Sequence, residues 1–455
     1  MAGDTNLLIY EIRLPLRYRH VMSSVSSNRM SPLEIRASLS LASIFALRML
    51  GLFLILPVFA VHAMHLKGGG DHTLVGIALG AYGLTQGVLQ IPYGMASDRY
   101  GRKRMIILGL VLFALGSFIA AIGDDIYVII AGRAIQGAGA ISAPVMAFLA
   151  DLTREQHRTK AMALVGSSIG LMFALSLVGS PLLYRHIGMG GIFVLTGVLA
   201  LLAIWVVVSV VPEEALVKIE AEEHVEPARL GDVLRNPDLL RLNFGIFSLH
   251  VVQMAIFVVV PLALVSAGGL SVDQHWKVYL PVVLASFLLM LPPIFYAEKK
   301  DRIKPVFLAC VALMALVQLG FVFALNNFTA LVILMLGFFV AFNILEASLP
   351  SLVSRTAPGR AKGTALGVYN TTQSLGLFVG GAAGGWLMQH QGQAPVFMFG
   401  VALIALWGIS AAGMRVPRRA HERGAHTNAA RTRSEARRWA TGRPGSTGQK
   451  TNEET

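Results

Sequence analysis

The sequence predicts an all-α integral membrane protein: twelve transmembrane helices in two pseudo-symmetric six-helix bundles. Three observations carry this reading. Apolar residues make up 55% of the 455 and charged residues only 14%, with a mean hydropathy of +0.64. A soluble domain clothes its surface with about 25% charged residues. Twelve runs are long and apolar enough to cross a bilayer, which takes about 20 residues each. The chain also repeats itself with a period near 200 residues. This composition excludes a soluble enzyme, a disordered regulator and a disulfide scaffold. The single Cys310 lies in an apolar run, and a lone cysteine makes no intramolecular disulfide. The formal charge of +13 sits in loops and tails rather than on one folded face, which sets nucleic acid aside as a partner.

Along the chain, residues 1–36 read as a cytoplasmic N-terminal segment, in which Met22 and Met30 are alternative starts. The first six spans, at 37–62, 73–94, 105–122, 126–149, 160–183 and 190–211, form an N-terminal bundle over 37–211. Their Gly and Pro residues are tolerated in membrane bundles. The first run starts too late and runs too long for a cleaved signal peptide. A central cytoplasmic loop, 212–238, is acidic (Glu213, Glu214, Glu220, Glu222, Glu223, Glu226) and then basic (Arg229, Arg235). Its last part, Leu230–Arg235, reads as a short helix on the membrane surface ahead of Asn236-Pro237. Six further spans, at 239–266, 277–296, 305–325, 329–353, 363–388 and 394–414, form a C-terminal bundle over 239–414. The remainder, 415–455, is rich in Arg, Gly, Ser, Thr and Asn, and reads as a disordered basic cytoplasmic tail.

Lysine and arginine set the expected orientation. With both termini cytoplasmic, the five inner loops carry eighteen Lys and Arg, from Arg99 to Lys362. The outer loops and span edges carry only Lys67, Arg185 and Lys277. A multi-pass protein of the cell inner membrane, with both ends inside, is the expectation.

The halves repeat in sequence: Arg158-Thr-Lys-Ala-Met-Ala-Leu164 returns as Arg360-Ala-Lys-Gly-Thr-Ala-Leu366, an offset of 202 with four identities in seven. Parallel six-helix repeats place substrate sites near the midplane, between the halves, and serve alternating access.

Three stretches carry a family resemblance. Gly94-Met-Ala-Ser-Asp98-Arg-Tyr-Gly101-Arg102-Lys103-Arg104 resembles the loop signature of the major facilitator superfamily, with Ala96 where Leu is usual. Gly132-Arg133-Ala-Ile-Gln136-Gly137-Ala-Gly139 is similar to its second signature. Gly166-Ser-Ser-Ile-Gly170 and Gly179-Ser180-Pro181 resemble the antiporter signature, but Ser180 separates Gly from Pro and the final Gly pair is missing. Ala46-Leu-Arg-Met-Leu-Gly51, Asp151-Leu-Thr-Arg-Glu-Gln156 and His275-Trp-Lys-Val-Tyr-Leu280 look like the YajR-type, proton-coupled, drug-antiporter-like branch. The resemblance covers about 37–413; the folded C-terminal domain of that branch has no counterpart in 415–455.

Ionisable residues deep in a span are costly and therefore functional candidates. Four stand out: Arg48, Arg133, His250 and Glu346, in spans 1, 4, 7 and 10. By resemblance these spans line the central cavity. Glu346 is the expected proton carrier, because a desolvated carboxylate takes up a proton more readily than one in water. His250 titrates near neutrality and completes the proton-coupling group. Arg133 stays charged and joins them through packing and relay. Gly94, Asp98, Gly101, Arg102 and Asp151 form the expected gate. The glycines permit a tight turn and close helix approach. Asp98 would cap the start of span 11 near Gly363, as the resemblance implies, and Arg102 would pair with Asp151. Arg48, Gln86, Gln136, Gln253, Asn343, Tyr369 and Asn370 are the expected substrate-cavity residues, with Gln90, Tyr93, Asn243 and Gln373 beside them.

No Gly-x4-Gly-Lys-Ser/Thr and no His/Cys cluster occurs, so neither nucleotide nor metal is expected, and no other cofactor. Energy would come from a proton gradient. The expected function is that of a monomeric, non-enzymatic secondary transporter embedded in lipid. It would export small amphiphilic compounds in exchange for protons. A proton symporter or uniporter of a metabolite is the alternative, and a transport-inactive membrane sensor or scaffold the second.

Overall fold

Within a bilayer, backbone N–H and C=O groups have no water to bond, so a spanning segment must satisfy them internally. The chain is accordingly helical throughout a computed structural model that describes residues 30–213, 230–358 and 362–415. Helices α1 (Pro32–Phe53) and α2 (Leu56–Ala63) form span 1; α3 (His72–Tyr100) is span 2 and α4 (Arg102–Ala121) span 3. Span 4 is α5 (Ile126–Ala138) with α6 (Ser142–Asp151), and α7 (Glu155–Ser209) holds spans 5 and 6. After the short α8 (Leu230–Leu234), spans 7 to 12 are α9 (Pro237–Gly268), α10 (Trp276–Lys299), α11 (Ile303–Ala324), α12 (Phe328–Thr356), α13 (Lys362–Gln391) and α14 (Gln393–Ala412).

Ten segments among the described residues are long and apolar enough to cross a membrane. One of them, Lys160–Ser209, is 50 residues long, and Gly188 breaks it with φ 64° and ψ −175° into two crossings. Span 11 is too polar for that criterion, but at 30 residues it is long enough to cross and is packed between both halves. The twelve-helix architecture is consistent with both observations.

The observed helices outrun the sequence-derived spans at their polar ends. Span 1 begins at Pro32 rather than 37, because Ser31 and Glu34 form a capping box: Glu34 N–H donates to Ser31 Oγ at 3.2 Å, and Ser31 N–H to Glu34 Oε2 at 2.7 Å. Glu34 is buried and also takes the Arg154 guanidinium at 2.9 Å. Span 2 runs to Tyr100, so most of the loop expected over 94–104 is helix and the turn is Gly101 alone, at φ 98°. Leu230–Leu234 is helical, near the expected surface helix. The rest of the acidic stretch, most of the N-terminal segment and nearly all of the basic tail lie outside the described residues.

Spans 1 and 4 are each interrupted where the sequence suggests one continuous run. In span 1 the cause is Pro57, which has no N–H. Val58 N–H turns to Ile55 O, and the freed carbonyl of Leu54 accepts the hydroxyl of Ser180 from span 5. In span 4 the helix stops at Ala138. The Gly139 backbone presses so closely on Gly109 of span 3 that no side chain fits between them.

The halves pack alike. Spans 1 and 5/6, 2 and 4, 3 and 4, and 3 and 5/6 are neighbours; so, in the same order, are 7 and 11, 8 and 10, 9 and 10, and 9 and 12. Between the halves, span 2 lies along span 11, and α7 touches span 8. The span 2–span 11 seam rests on glycine. A side chain at Gly76 would collide with the Gly381 carbonyl, and one at Gly80 would meet the Phe378 backbone at 2.9 Å. Closer to the Gly101 turn the helices part: Gly363 and Gly367 face open space, and Gly94 has only Ala143 of its own half, at 3.4 Å. Among the described residues, spans 2 and 11 are thus in closest contact at one end, here the far end, and lie apart at the basic end, where the Gly101 turn lies.

Candidate functional site

The candidate site is built from the polar side chains of spans 1, 2, 4, 7, 10 and 11. Arg48 and Arg133 are both buried, at 0% and 1% exposure. The Arg48 guanidinium sits at the interruption of span 4. Its Nη2 donates to Gly139 O at 3.0 Å and to Gln86 Oε1 at 2.8 Å, and its Nη1 donates to Ser142 Oγ at 3.3 Å. A cation there complements the negative end of α5. Arg133 donates to Gln136 Oε1 at 2.9 Å and to the carbonyls of Ala78 and Leu79 at 3.3 Å. Gln136 in turn donates to Ser117 Oγ at 2.7 Å. Both guanidiniums also lie over the ring of Tyr82, at 5.6 and 5.3 Å. Carbonyls, amides, hydroxyls and an aromatic face thus hold these cations inside the N-terminal half. Gln136 belongs to this interior.

The C-terminal half holds the carboxylate. Half-buried Glu346 accepts from Gln373 Nε2 through Oε1 at 3.3 Å, and its Oε2 is buried without a hydrogen-bond partner. His250 Nε2 lies 3.9 Å from that oxygen and 2.7 Å from Gln373 Nε2. The other ring nitrogen of His250, Nδ1, faces the carbonyl of Ile246 at 3.1 Å. A carbonyl only accepts, so Nδ1 carries the hydrogen and Nε2 offers its lone pair to Gln373. Glu346, His250 and Gln373 therefore form one cluster. It is separate from Arg133, which lies in the other half.

Gln86 joins the halves. Its Nε2 donates to Ser374 Oγ on span 11 at 2.9 Å, while its Oε1 accepts from Arg48 and from the Tyr82 hydroxyl. The remaining cavity candidates divide. Asn343 donates to Ser286 on span 8 at 3.1 Å, beside Phe173 and Leu177 of span 5. Gln253 is buried. Tyr369 is buried close to Glu346, with its hydroxyl unpartnered. Asn370 is half-buried, and its carbonyl accepts from Ser374 Oγ at 2.9 Å. Gln90, one helical turn from Gln86 toward the basic end, is 1% exposed with both amide atoms unpartnered.

At the basic end Arg102 Nε lies 3.0 Å from Asp151 Oδ2, the partner named from the sequence. Arg102 also contacts Asp98 and donates to Ser97 Oγ at 2.7 Å. The Asp98 side chain is 64% exposed, and a side-chain carbon added at Gly363 would meet nothing within 4 Å. The residues just before Gly363, where the expected cap would form, lie outside the described residues or have side chains that are not described.

Sequence reasoning missed a repeated feature here. Lys103 Nζ donates to Val211 O at 2.7 Å and Arg36 Nε to Val210 O at 2.9 Å, at the end of span 6. Lys304 Nζ donates to Ala412 O and Arg241 Nη1 to Gly413 O, both at 2.8 Å, at the end of span 12. The signal was present as a near-constant offset between Lys103 and Lys304, and between Arg36 and Arg241. Ser180, noted as an interruption of the antiporter signature, ties spans 1 and 5 together through the Leu54 carbonyl.

Comparison with known proteins agrees with this architecture. The Major Facilitator Superfamily model matches residues 41–380, with a second match over 288–444. Inner membrane transport protein YajR of Escherichia coli (strain K12) is 46% identical over 389 residues, covering 86% of this chain and 85% of that protein. Multidrug resistance protein 2 of Bacillus subtilis (strain 168) is 26% identical over 381 residues, 79% of this chain and 91% of its own. The crystal structure of a D-xylose-proton symporter aligns with a TM-score of 0.65 at 17% identity, over 84% of this chain and 98% of that one, a likeness of fold. These are membrane transporters rather than enzymes, and the chain belongs to the major facilitator superfamily.

Proposed function

We propose that this multi-pass membrane protein is a proton-coupled exporter of small amphiphilic compounds. It would work by alternating access in the cell inner membrane, with both termini in the cytoplasm. The observation that carries the reading is the Glu346 cluster. The carboxyl lies against a histidine lone pair and an amide, with one oxygen unpartnered and His250 as its only ion-pair partner among the described residues. A carboxylate fixed by Lys or Arg would keep its charge; this one is placed to take up and release a proton. Glu346 is the proton carrier, His250 tunes it, and the Arg48–Gln86 group links the other half. Arg102 with Asp151 and Asp98 forms the cytoplasmic gate. Gln90 and Tyr369, with unpartnered polar atoms, face the substrate. The likeness to a multidrug resistance protein supports export and amphiphilic cargo.

Ser180, which interrupts the antiporter signature, favours a second reading in which proton and metabolite move the same way. One experiment separates the two. Candidate amphiphiles are added to energised inverted vesicles containing the protein, and the pH gradient is followed. Substrate-dependent collapse of the gradient supports exchange. A compound that is carried without moving protons, or that enters together with them, contradicts it.

A further inference from the structure

We propose that Gln373 and Ser374, neighbours on span 11, couple the protonation of Glu346 to the separation of the two halves at the far end. The inference rests on Glu346 being the proton carrier and adds the parts that transmit its state.

The two residues face opposite ways. Gln373 turns into the C-terminal half, where its amide nitrogen serves both His250 Nε2 at 2.7 Å and Glu346 Oε1 at 3.3 Å. Ser374 turns to the N-terminal half and accepts from Gln86 at 2.9 Å. That tie marks the inner limit of the seam. Toward the far end, Gly76, Gly80 and Gly83 of span 2 press on span 11 backbone; toward the basic end, Gly367 and Gly363 meet nothing. On the span 2 side, Gln86 is held by Arg48 and Tyr82, so the tie is anchored to the interior of the N-terminal half.

The geometry on the C-terminal side responds to one proton. His250 Nε2 has one lone pair, and Gln373 occupies it. A proton on the unpartnered Oε2 of Glu346 makes an O–H that needs an acceptor, and the His250 lone pair is 3.9 Å away. If the proton stays on Glu346, its O–H takes that lone pair. If it passes to His250, Nε2 becomes a donor and Glu346 is again a carboxylate. In both cases Gln373 loses its shorter bond, one residue from the tie that closes the seam. The other groups beside Glu346 do not alter this count. Tyr369 of span 11 offers a hydroxyl without a hydrogen-bond partner. Spans 8 and 9 place no charged side chain within ion-pair distance of Glu346 among the described residues. Arg48 lies across the seam, bonded to Gln86, which in turn donates to Ser374.

Gln373 and Ser374 are therefore positioning residues. Their effect is read as the pH response of the far-end distance. Spin labels on cysteines placed at Gly70, between spans 1 and 2, and at Asn326, between spans 9 and 10, report that distance. The background is the full chain in nanodiscs carrying Cys310→Ala, which removes the sole native thiol. The parent protein should shift toward longer far-end distances on acidification. Gln373→Leu should lose the pH response. Ser374→Ala should raise the long-distance population at high pH, and Ser374→Thr, which keeps the hydroxyl, should restore the parent profile. Gln86→Leu should reproduce Ser374→Ala from the other side of the seam. A parent response that survives unchanged in Gln373→Leu and Ser374→Ala overturns this inference and leaves Glu346 as proton carrier intact. A parent with no pH response overturns both.

Discussion

Arg102 is held from two sides, by Asp151 of span 4 and by Asp98 one turn back on span 2. Exchanging the charges, as Arg102→Asp with Asp151→Arg, keeps the attraction across the spans but sets an aspartate beside Asp98. The exchange should therefore recover part of the transport lost in either alanine variant, and adding Asp98→Asn should not improve on the parent. A swap worse than both single variants, in a transport assay matched for expression, would contradict the pairing. Gly101 makes a separate demand. At φ 98° it turns span 2 into span 3 with no other loop residue, a conformation that costs other residues about 1–3 kcal/mol. Gly101→Ala should lower the melting temperature in detergent well below that of Gly94→Ala, whose added carbon meets only Ala143. Equal melting temperatures would remove the backbone argument. The four intramembrane ionisable residues were legible because each interrupts an apolar run. Gln373 was legible only as one of several polar cavity residues, and Ser374 was not singled out, because span 11 holds many polar residues and only the register between helices shows which of them bond.

Helices show a similar division. Most span centres could be read from hydropathy, and Gly188 at the reversal between spans 5 and 6 falls between two apolar runs. The breaks in spans 1 and 4 were signalled by Pro57 and Gly139, but a proline or glycine inside a membrane helix is compatible with a straight helix too. The break becomes visible only with its partners, Ser180 on the Leu54 carbonyl and Arg48 on the Gly139 carbonyl. The basic residues at loop ends were read as orientation signals. Lys103, Arg36, Lys304 and Arg241 also cap the ends of spans 6 and 12, each such contact worth about 0.3–1 kcal/mol. The seam between spans 2 and 11 gives the prediction at this scale. Gly76→Val places branched carbon against the Gly381 carbonyl and should force the far end apart. Cysteines introduced at the basic end near Gly363 and Gly367 should then react more slowly with a membrane-impermeant thiol reagent than in the parent protein. Unchanged reactivity would mean that the seam does not select the state.

On the scale of the whole molecule, the repeat of near 200 residues was legible as sequence identity around Arg158 and Arg360, and it reappears as matching helix neighbours in the two halves. The buried charges do not repeat with it. The N-terminal half buries two guanidiniums held by neutral groups, while the C-terminal half holds a carboxylate beside a histidine. Under the proposed function, this asymmetry places proton handling in one half, with the other as its counterpart across the seam. Each proton moved inward down a potential of 100 mV supplies about 2.3 kcal/mol. Export can draw on that only if Glu346 alternates between protonated and unprotonated forms. The most direct measurement compares the parent protein with Glu346→Gln in proteoliposomes under an imposed pH gradient, following both a transported amphiphile and the internal pH. Glu346→Gln should abolish uphill accumulation and substrate-driven proton movement while downhill exchange persists, and His250→Ala should shift the pH profile more than the maximal rate. Uphill transport with normal proton movement in Glu346→Gln would contradict the account.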